Sequence, residues 1–507
     1  MSLEAFHLET NMLKQKHSYP SLFRQLARTC ALGSLLSGAA AGMQISIDPA
    51  RELMVTDVSV VEAHGFTGPG EEWHFGTMMR RIAGDVPVDS FVQDWLDTWS
   101  TPQSVNGHRI FDPIQKDAME TFVDVWRTVG GLVQPGDVNV DLAPMRLLAI
   151  VNRPDLLRIR DGQIETAGEM RFVYGAHDRV GKGGRLPFFV IFEFDVPATS
   201  CEEVTDWHSR WHDLASVPLG SSEYLARLAD LSRSVTTPSG AILRPNRSNL
   251  AQLRTNSFLK PSALPINLAF WELREFAIDG ASSPAHSGGL IPATTKQTPS
   301  FLFTQGGQPP LYQAVLEEWL TVEHDNILMG DFTVPETFNS AIAGGAFPLL
   351  GGQAQNDLFL QDNFPGGTML DAGPTRWWAG VYGGPTLEAF SAGPPERIEV
   401  RHQFALQTCS GCHGDETATG FVMVENRNAG EESKLAGFLT GILAMDKFVV
   451  PVGGTGIITR PFNDLENRSN QLLKILQLGC QTPVDPGSQS PLEVLQSVRA
   501  SIGSRVH

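Results

Sequence analysis

Cysteine is scarce in this chain, five in 507 residues, too few for a disulfide-dense scaffold. Long apolar runs are missing too. Beyond a short stretch near the N-terminus, none approaches the roughly 18 residues of a membrane-spanning helix, so no transmembrane span is expected. Basic residues are outnumbered, 38 Lys and Arg against 56 Asp and Glu, for a formal net charge of −18. That balance argues against a nucleic-acid or anionic-membrane surface. There is no G-x-S-x-G, no H-E-x-x-H and no Rossmann glycine fingerprint in the chain, which removes the commonest hydrolase, zinc-protease and dinucleotide readings. Gly181-Lys182-Gly183 invites a phosphate-loop reading. It lacks the Ser or Thr that must follow the lysine, so it reads as an exposed turn.

What remains is ordinary globular material, 42% hydrophobic and 19% charged, with 49 glycines and 33 prolines that imply many loops. Residues 1–41 read as a signal peptide. Lys14, Lys16, Arg24 and Arg28 precede the weakly apolar run CALGSLLSGAAAG, which starts at Cys30. Ala39-Ala40-Ala41 then offers small residues for cleavage after Ala41. Glu4 and Glu9 do not suit such a segment, and a start at Met12 would remove both. Cys30 opens the apolar run instead of closing it, a poor position for lipid attachment. The alternative is an amphipathic N-terminal helix that stays attached. The expectation is an exported protein, periplasmic or at the cell surface.

The rest reads as an α+β chain in two parts: a mixed β-sheet domain with packed helices over 42–395, then a small, mainly helical domain over 396–507. Helical spacing of apolar residues predicts helices at 72–83, 88–100 and 115–128, with Phe91, Trp95 and Trp99 on one face. The runs 52–62, 145–152, 169–175, 186–196 and 269–278 read as strands, 169–175 and 186–196 as a hairpin. Residues 201–233 and 311–328 read as helical. His208 and His212 stand at i and i+4, a metal-compatible spacing, but no carboxylate completes a zinc pattern. An amphipathic helix that buries Trp207 and Trp211 is the simpler reading. From 329 to 395 the chain is a loop-rich connector crowded with Gly and Pro, and Trp377-Trp378 inside it reads as loop packing.

One motif carries chemistry. Residues 401–414 read RHQFALQTCSGCHG, and Cys409-Ser410-Gly411-Cys412-His413 has the C-x-x-C-H spacing of covalent haem c attachment. Two cysteines three apart on a helical turn point the same way and can form thioethers to the haem vinyl groups. The adjacent His413 then reaches the iron as proximal ligand. The distal candidates are Met423, ten residues beyond His413, and, more weakly, Met445, 32 residues beyond it. Either could equally be plain core packing. A vacant distal position would instead leave a reactive iron and an oxidising enzyme. Two other readings of the cysteine pair stand beside haem: a disulfide that staples a turn or exchanges with thiols, and half of a zinc site completed by Cys480 or a histidine. If haem takes Cys409 and Cys412, the mature chain keeps Cys201 and Cys480, an even pair in an oxidising compartment. They are expected to bond to each other.

Residues 396–507 resemble a divergent cytochrome c-type domain. Over its mature length the chain resembles a group of secreted or lipoprotein bacterial proteins typical of myxobacteria and their relatives. The matching stretches are WHFGTMMRRIA (73–83), FVQDWLDTW (91–99), LAPMRLLAIVNRPDLL (142–157), LAQLRTNSF (250–258) and FALQTCSGCHGDETATGF (404–421). The resemblance implies location and haem-motif type, and no substrate. It is incomplete: cytochromes c present a distal methionine beside proline, and neither Met423 nor Met445 has that neighbour. The sequence-level expectation is an exported monohaem electron carrier whose acidic surface meets a basic docking patch on a redox partner, weakened by salt. The alternative is a non-redox surface or binding protein in which Cys409 and Cys412 only staple structure.

Overall fold

The computed structural model describes residues 45–105, 108–110, 113–129, 131–160, 162–178, 184–237, 249–257, 259, 268–278, 289–295, 315, 318–328, 332–339, 343–348, 395–406, 412, 417, 422–445 and 459–480. The expected signal peptide, the turn at 181–183 and Trp377-Trp378 lie outside them. From Ile47 onward the described residues form one compact unit.

Its centre is an eight-stranded sheet. Strands β1 (Met54–Val55), β2 (Met145–Arg153), β3 (Glu169–His177), β4 (Arg185–Asp195), β5 (Leu250–Ser257), β6 (Leu268–Ile278) and β7 (Leu290–Ala293) lie side by side in chain order, and β8 (Ala343–Pro348) also pairs with β6. β7 pairs with Glu275–Ile278 and β8 with Leu268–Leu273, so the two divide β6 between them. Each pairing is antiparallel. The expected mixed sheet is therefore corrected to an antiparallel meander. A helical connection suggests a parallel crossover, but the one between β4 and β5 holds two helices and begins and ends at the same end of the sheet.

The strand expected over 52–62 is also corrected. Only Met54–Val55 pairs, and Val58–Val61 forms one helical turn. Asp57 caps it by accepting from the Ser59 amide at 2.8 Å. The cap satisfies an orphan amide at once, which outweighs the β-propensity of the two valines that end the turn.

Helices cover one face of the sheet. They include α1 (Phe75–Ala83), α2 (Val88–Asp97), α3 (Pro113–Arg127), α4 (Cys201–His212) and α5 (Ser222–Thr236). Side-chain caps start them where the sequence supplies the residue: Ser221 accepts from the Tyr224 amide at 3.2 Å. At α4, Ser200 accepts from the Glu203 amide while Glu203 accepts from the Thr199 amide at 2.6 Å, a reciprocal cap that fixes the helix start. The core beneath is aromatic. Phe75 lies edge-on to Trp126, Tyr174 and Phe192, with ring centroids 5.5–5.8 Å apart.

The opposite face is covered by the described residues beyond 400. Leu53, Met54, Ala149, Val151, Val173 and Phe189 form one apolar cluster with Leu406, Cys412, Val424, Phe438, Leu439 and Leu472. The covering pieces are α6 (Pro395–Leu406), a strap over 422–436, the hairpin β9 (Ile442–Met445)–β10 (Thr459–Phe462) and α7 (Asp464–Leu478). The described part of 396–507 thus shares its core with the sheet. Gly175 in β3 marks a close approach: a side chain there would collide with Asn426 of the strap, whose side-chain amide nitrogen donates to the Ala176 and Leu186 carbonyls at 2.6 and 2.9 Å.

Candidate functional site: the covered face of the sheet

The strand register builds an unusual surface on this second face. Arg153 stands opposite Glu169, Arg171 opposite Glu193, Ile191 opposite Arg254, and Arg254 opposite Glu275. Alternation puts these residues on the same side as Val151 and Val173, so charge enters a face that is also apolar. Lateral pairing makes this tolerable. Arg171 holds Glu169 at 2.7 Å and Glu193 at 3.2 Å. Arg254 holds Glu275 at 3.0 Å, and Arg153 holds Asp155 at 2.6 Å. Burial would raise the Glu169 carboxyl, but Arg171, Arg153 and Arg158 overcome it and hold the pKa down to about 2.

A cavity of about 80 Å³ lies between this face and the strap. Its polar side chains are Arg153, Arg171, Arg254, Asn256 and Arg468, the last from α7. Apolar groups complete the wall, among them Val173, Phe189, Ile191, Met423 and Phe438. Among the described residues no carboxylate lines it.

The structure brings several sequence-predicted residues here. Cys412 is fully buried in the second cluster, and the Thr417 hydroxyl donates to its carbonyl at 2.6 Å. Met423 is half-buried, packs against the same cluster and lines the cavity. Its carbonyl accepts from the Ala436 amide at 2.9 Å. Met445 ends β9 opposite Thr459, and its side chain lies outside the described residues, as do Cys409 and His413. Cys201, opening α4, and Cys480, two residues past α7, are joined by a disulfide with Cα atoms 5.1 Å apart. The residues sequence reasoning missed are the four arginines. Their signal was present as period-2 spacing, Val151-x-Arg153 and Arg171-x-Val173, with charge and apolar side chain on one face.

Would these residues suit a haem edge? The described residues include one thiol, Cys412, one thioether, Met423, and guanidinium groups that could face propionates. At about 80 Å³ the cavity has room for a propionate-sized group and none for a macrocycle.

No family model matches the chain, nor does any curated protein or solved structure. Function therefore rests on the chemistry of the chain itself.

The His208–His212 pair is structural. His208 is wholly buried and its Nε2 donates to the Ala167 carbonyl at 2.9 Å. His212 Nδ1 meets Glu52 at 2.8 Å. Among the described residues no cluster of three or more His, Cys, Asp or Glu could hold a metal ion. Burial pushes the His208 pKa down to about 4, below the ~6.5 of an unfolded histidine. Between those values the unfolded chain binds a proton that the folded chain refuses. Stability from this residue is whole above pH ~6.5 and falls as pH drops, by up to roughly 3 kcal/mol near pH 4. His208→Gln keeps a donor for Ala167 and removes the titration. Denaturant unfolding at pH 7 and pH 4.5 should show a smaller loss in this variant than in the parent. Equal losses would show that His208 does not titrate as described.

Proposed function

We propose that this chain is an exported monohaem c-type protein that transfers electrons. Cys409 and Cys412 would hold haem c through thioethers, with His413 as proximal ligand and Met423 the first distal candidate, Met445 the second. Bound haem supplies a one-electron couple whose potential follows its axial ligands and their burial. The observation that carries the reading is the C-x-x-C-H motif at 409–413. It is supported by the placement of Cys412 and Met423 in one apolar cluster, because a buried, water-poor setting keeps an iron centre from ligand exchange. The chain's own part is positional: the strap hydrogen bond at Met423 fixes the backbone that carries the thioether. The net charge of −18 favours a partner with a basic docking patch.

A second reading has its own support. Cys412 is fully buried among apolar side chains, the setting of an inert structural cysteine, as expected if the pair only staples a non-redox binding protein. The full chain made alongside a haem-attachment system separates the two. A Soret band and a haem mass increment that survive denaturation are expected. A mass without the increment overturns the haem reading in favour of the second.

A further inference from the structure

The cavity under the strap has a property that neither reading requires. Among the described residues its wall presents hydrogen-bond donors from four guanidinium groups and one amide side chain, and no carboxylate. The carboxylates that pair with these arginines, Asp155, Glu169, Glu193, Glu275 and Asp464, lie outside the lining.

Arg468 is the decisive group. It is 4% exposed and lines the cavity. Its Nη2 pairs with Asp464, and its Nε stands 3.9 Å from Asp155. Nε and Nη1 make no hydrogen bond among the described residues. A buried donor left unmade costs about 1–3 kcal/mol, more for a charged group. Retaining two on one guanidinium is costly unless an acceptor enters the cavity. Burial also lifts the Asp464 carboxyl above its ordinary value.

Size and polarity narrow the acceptor. About 80 Å³ is roughly half of a ~150 Å³ apolar cavity that accepts benzene, and well below the ~300 Å³ at which drug-sized pockets begin. A planar guanidinium matches a carboxylate in geometry. Ile191 and Met423 offer apolar surface beside the arginines.

We propose that this cavity is a binding site for a short-chain carboxylate, with Arg468 as its principal anchor and Arg153, Arg171 and Arg254 completing its polar wall. The carboxylate belongs either to a free small acid or to a haem propionate arm, and the chemistry of recognition is the same. The site is defined by the described residues alone, so it does not depend on haem being attached.

The test is a thermal-melt titration of the full chain with propionate and with its neutral isostere propionamide, before and after haem loading. The haem-free chain should show a saturable rise in melting temperature with propionate and none with propionamide. Arg468→Lys keeps the charge and removes the fork. It should fold and raise the half-saturating propionate concentration at least tenfold. If a haem arm is the natural occupant, the haem-loaded chain no longer responds to propionate; if a free acid is, both forms respond alike. A chain that takes no haem still reports on the pocket through the haem-free titration, so failure of the haem reading is separately visible. Equal effects of acid and amide, no saturable effect in the haem-free chain, or Arg468→Lys binding like the parent would each overturn the proposal.

Discussion

Removal of the Cys201–Cys480 bridge should cost this protein roughly 5 kcal/mol, the upper end for a single disulfide. The reason is the length of chain enclosed, with a sequence separation of 279 residues. In the chain-entropy picture a cross-link restricts the unfolded ensemble, and the restriction grows with the logarithm of the loop. This loop contains most of the protein, from the start of α4 to just past the end of α7. The bridge also ties the end of α7 to the start of α4 across the helix-covered core. Cys480 is buried within the helix-covered core, whereas Leu472 of α7 belongs to the cluster on the opposite face. Denaturant unfolding of the parent and of the Cys201→Ser/Cys480→Ser double variant measures the cost as a shift in midpoint. The slope should steepen in the variant, because its unfolded state is less compact and exposes more surface. A midpoint shift equivalent to less than ~1 kcal/mol would show that residual structure in the unfolded chain already holds these segments together. Two thiols free to alkylation in the native protein would remove the bridge itself from the argument.

The sheet was partly legible before the structure. β2, β3, β4 and β6 carry dense β-branched and aromatic residues, and hairpin pairing of β3 with β4 followed from their closeness in sequence. β5 was not legible as a strand by composition, since Gln252, Arg254 and Asn256 look like surface. They are buried at 4–8% exposure because the strap and α7 cover them and because neighbouring strands offer opposite charges. A single strand cannot show that pairing. The same holds for the cavity: Arg153, Arg171, Arg254 and Arg468 come from four elements, and only the register of β2–β5 and the seating of α7 place them together. Cys412 and Met423 were singled out as candidates from spacing alone. Their position on the covered face of the sheet was not legible, because the apolar residues that receive them, Ala149, Val173 and Phe189, lie more than two hundred residues earlier.

Arg427 holds the strap against the rest of the protein, and replacing it should be nearly as damaging as losing the disulfide. Its side chain is 1% exposed. Nη2 donates to the Leu147 carbonyl at 2.7 Å and to Val61 at 3.4 Å. Nη1 donates to the Glu431 carbonyl at 3.2 Å and pairs with Glu62. The Arg427 carbonyl in turn accepts from Arg146 at 3.0 Å. One guanidinium therefore ties the strap to β2 and to the turn before α1. Arg427→Met preserves much of the volume but strands the Leu147 carbonyl and the Glu62 carboxylate. The expected loss is about 3–5 kcal/mol, the range for breaking one side of a buried pair. Adding Glu62→Gln should restore part of it, because the orphaned charge is then gone. pH offers an independent reading. Although burial pushes the other way, Arg427 and the Gly430 amide hold the Glu62 carboxyl below its ordinary value. That depression contributes stability above pH ~4.5 that is lost as pH falls through the folded value. Arg427→Met should therefore be both less stable at pH 7 and less sensitive to acid than the parent. A variant that unfolds at the parent's midpoint, with the parent's acid response, would mean water replaces the guanidinium and the strap's other bonds, among them those of Asn426 and Arg146, suffice to hold it.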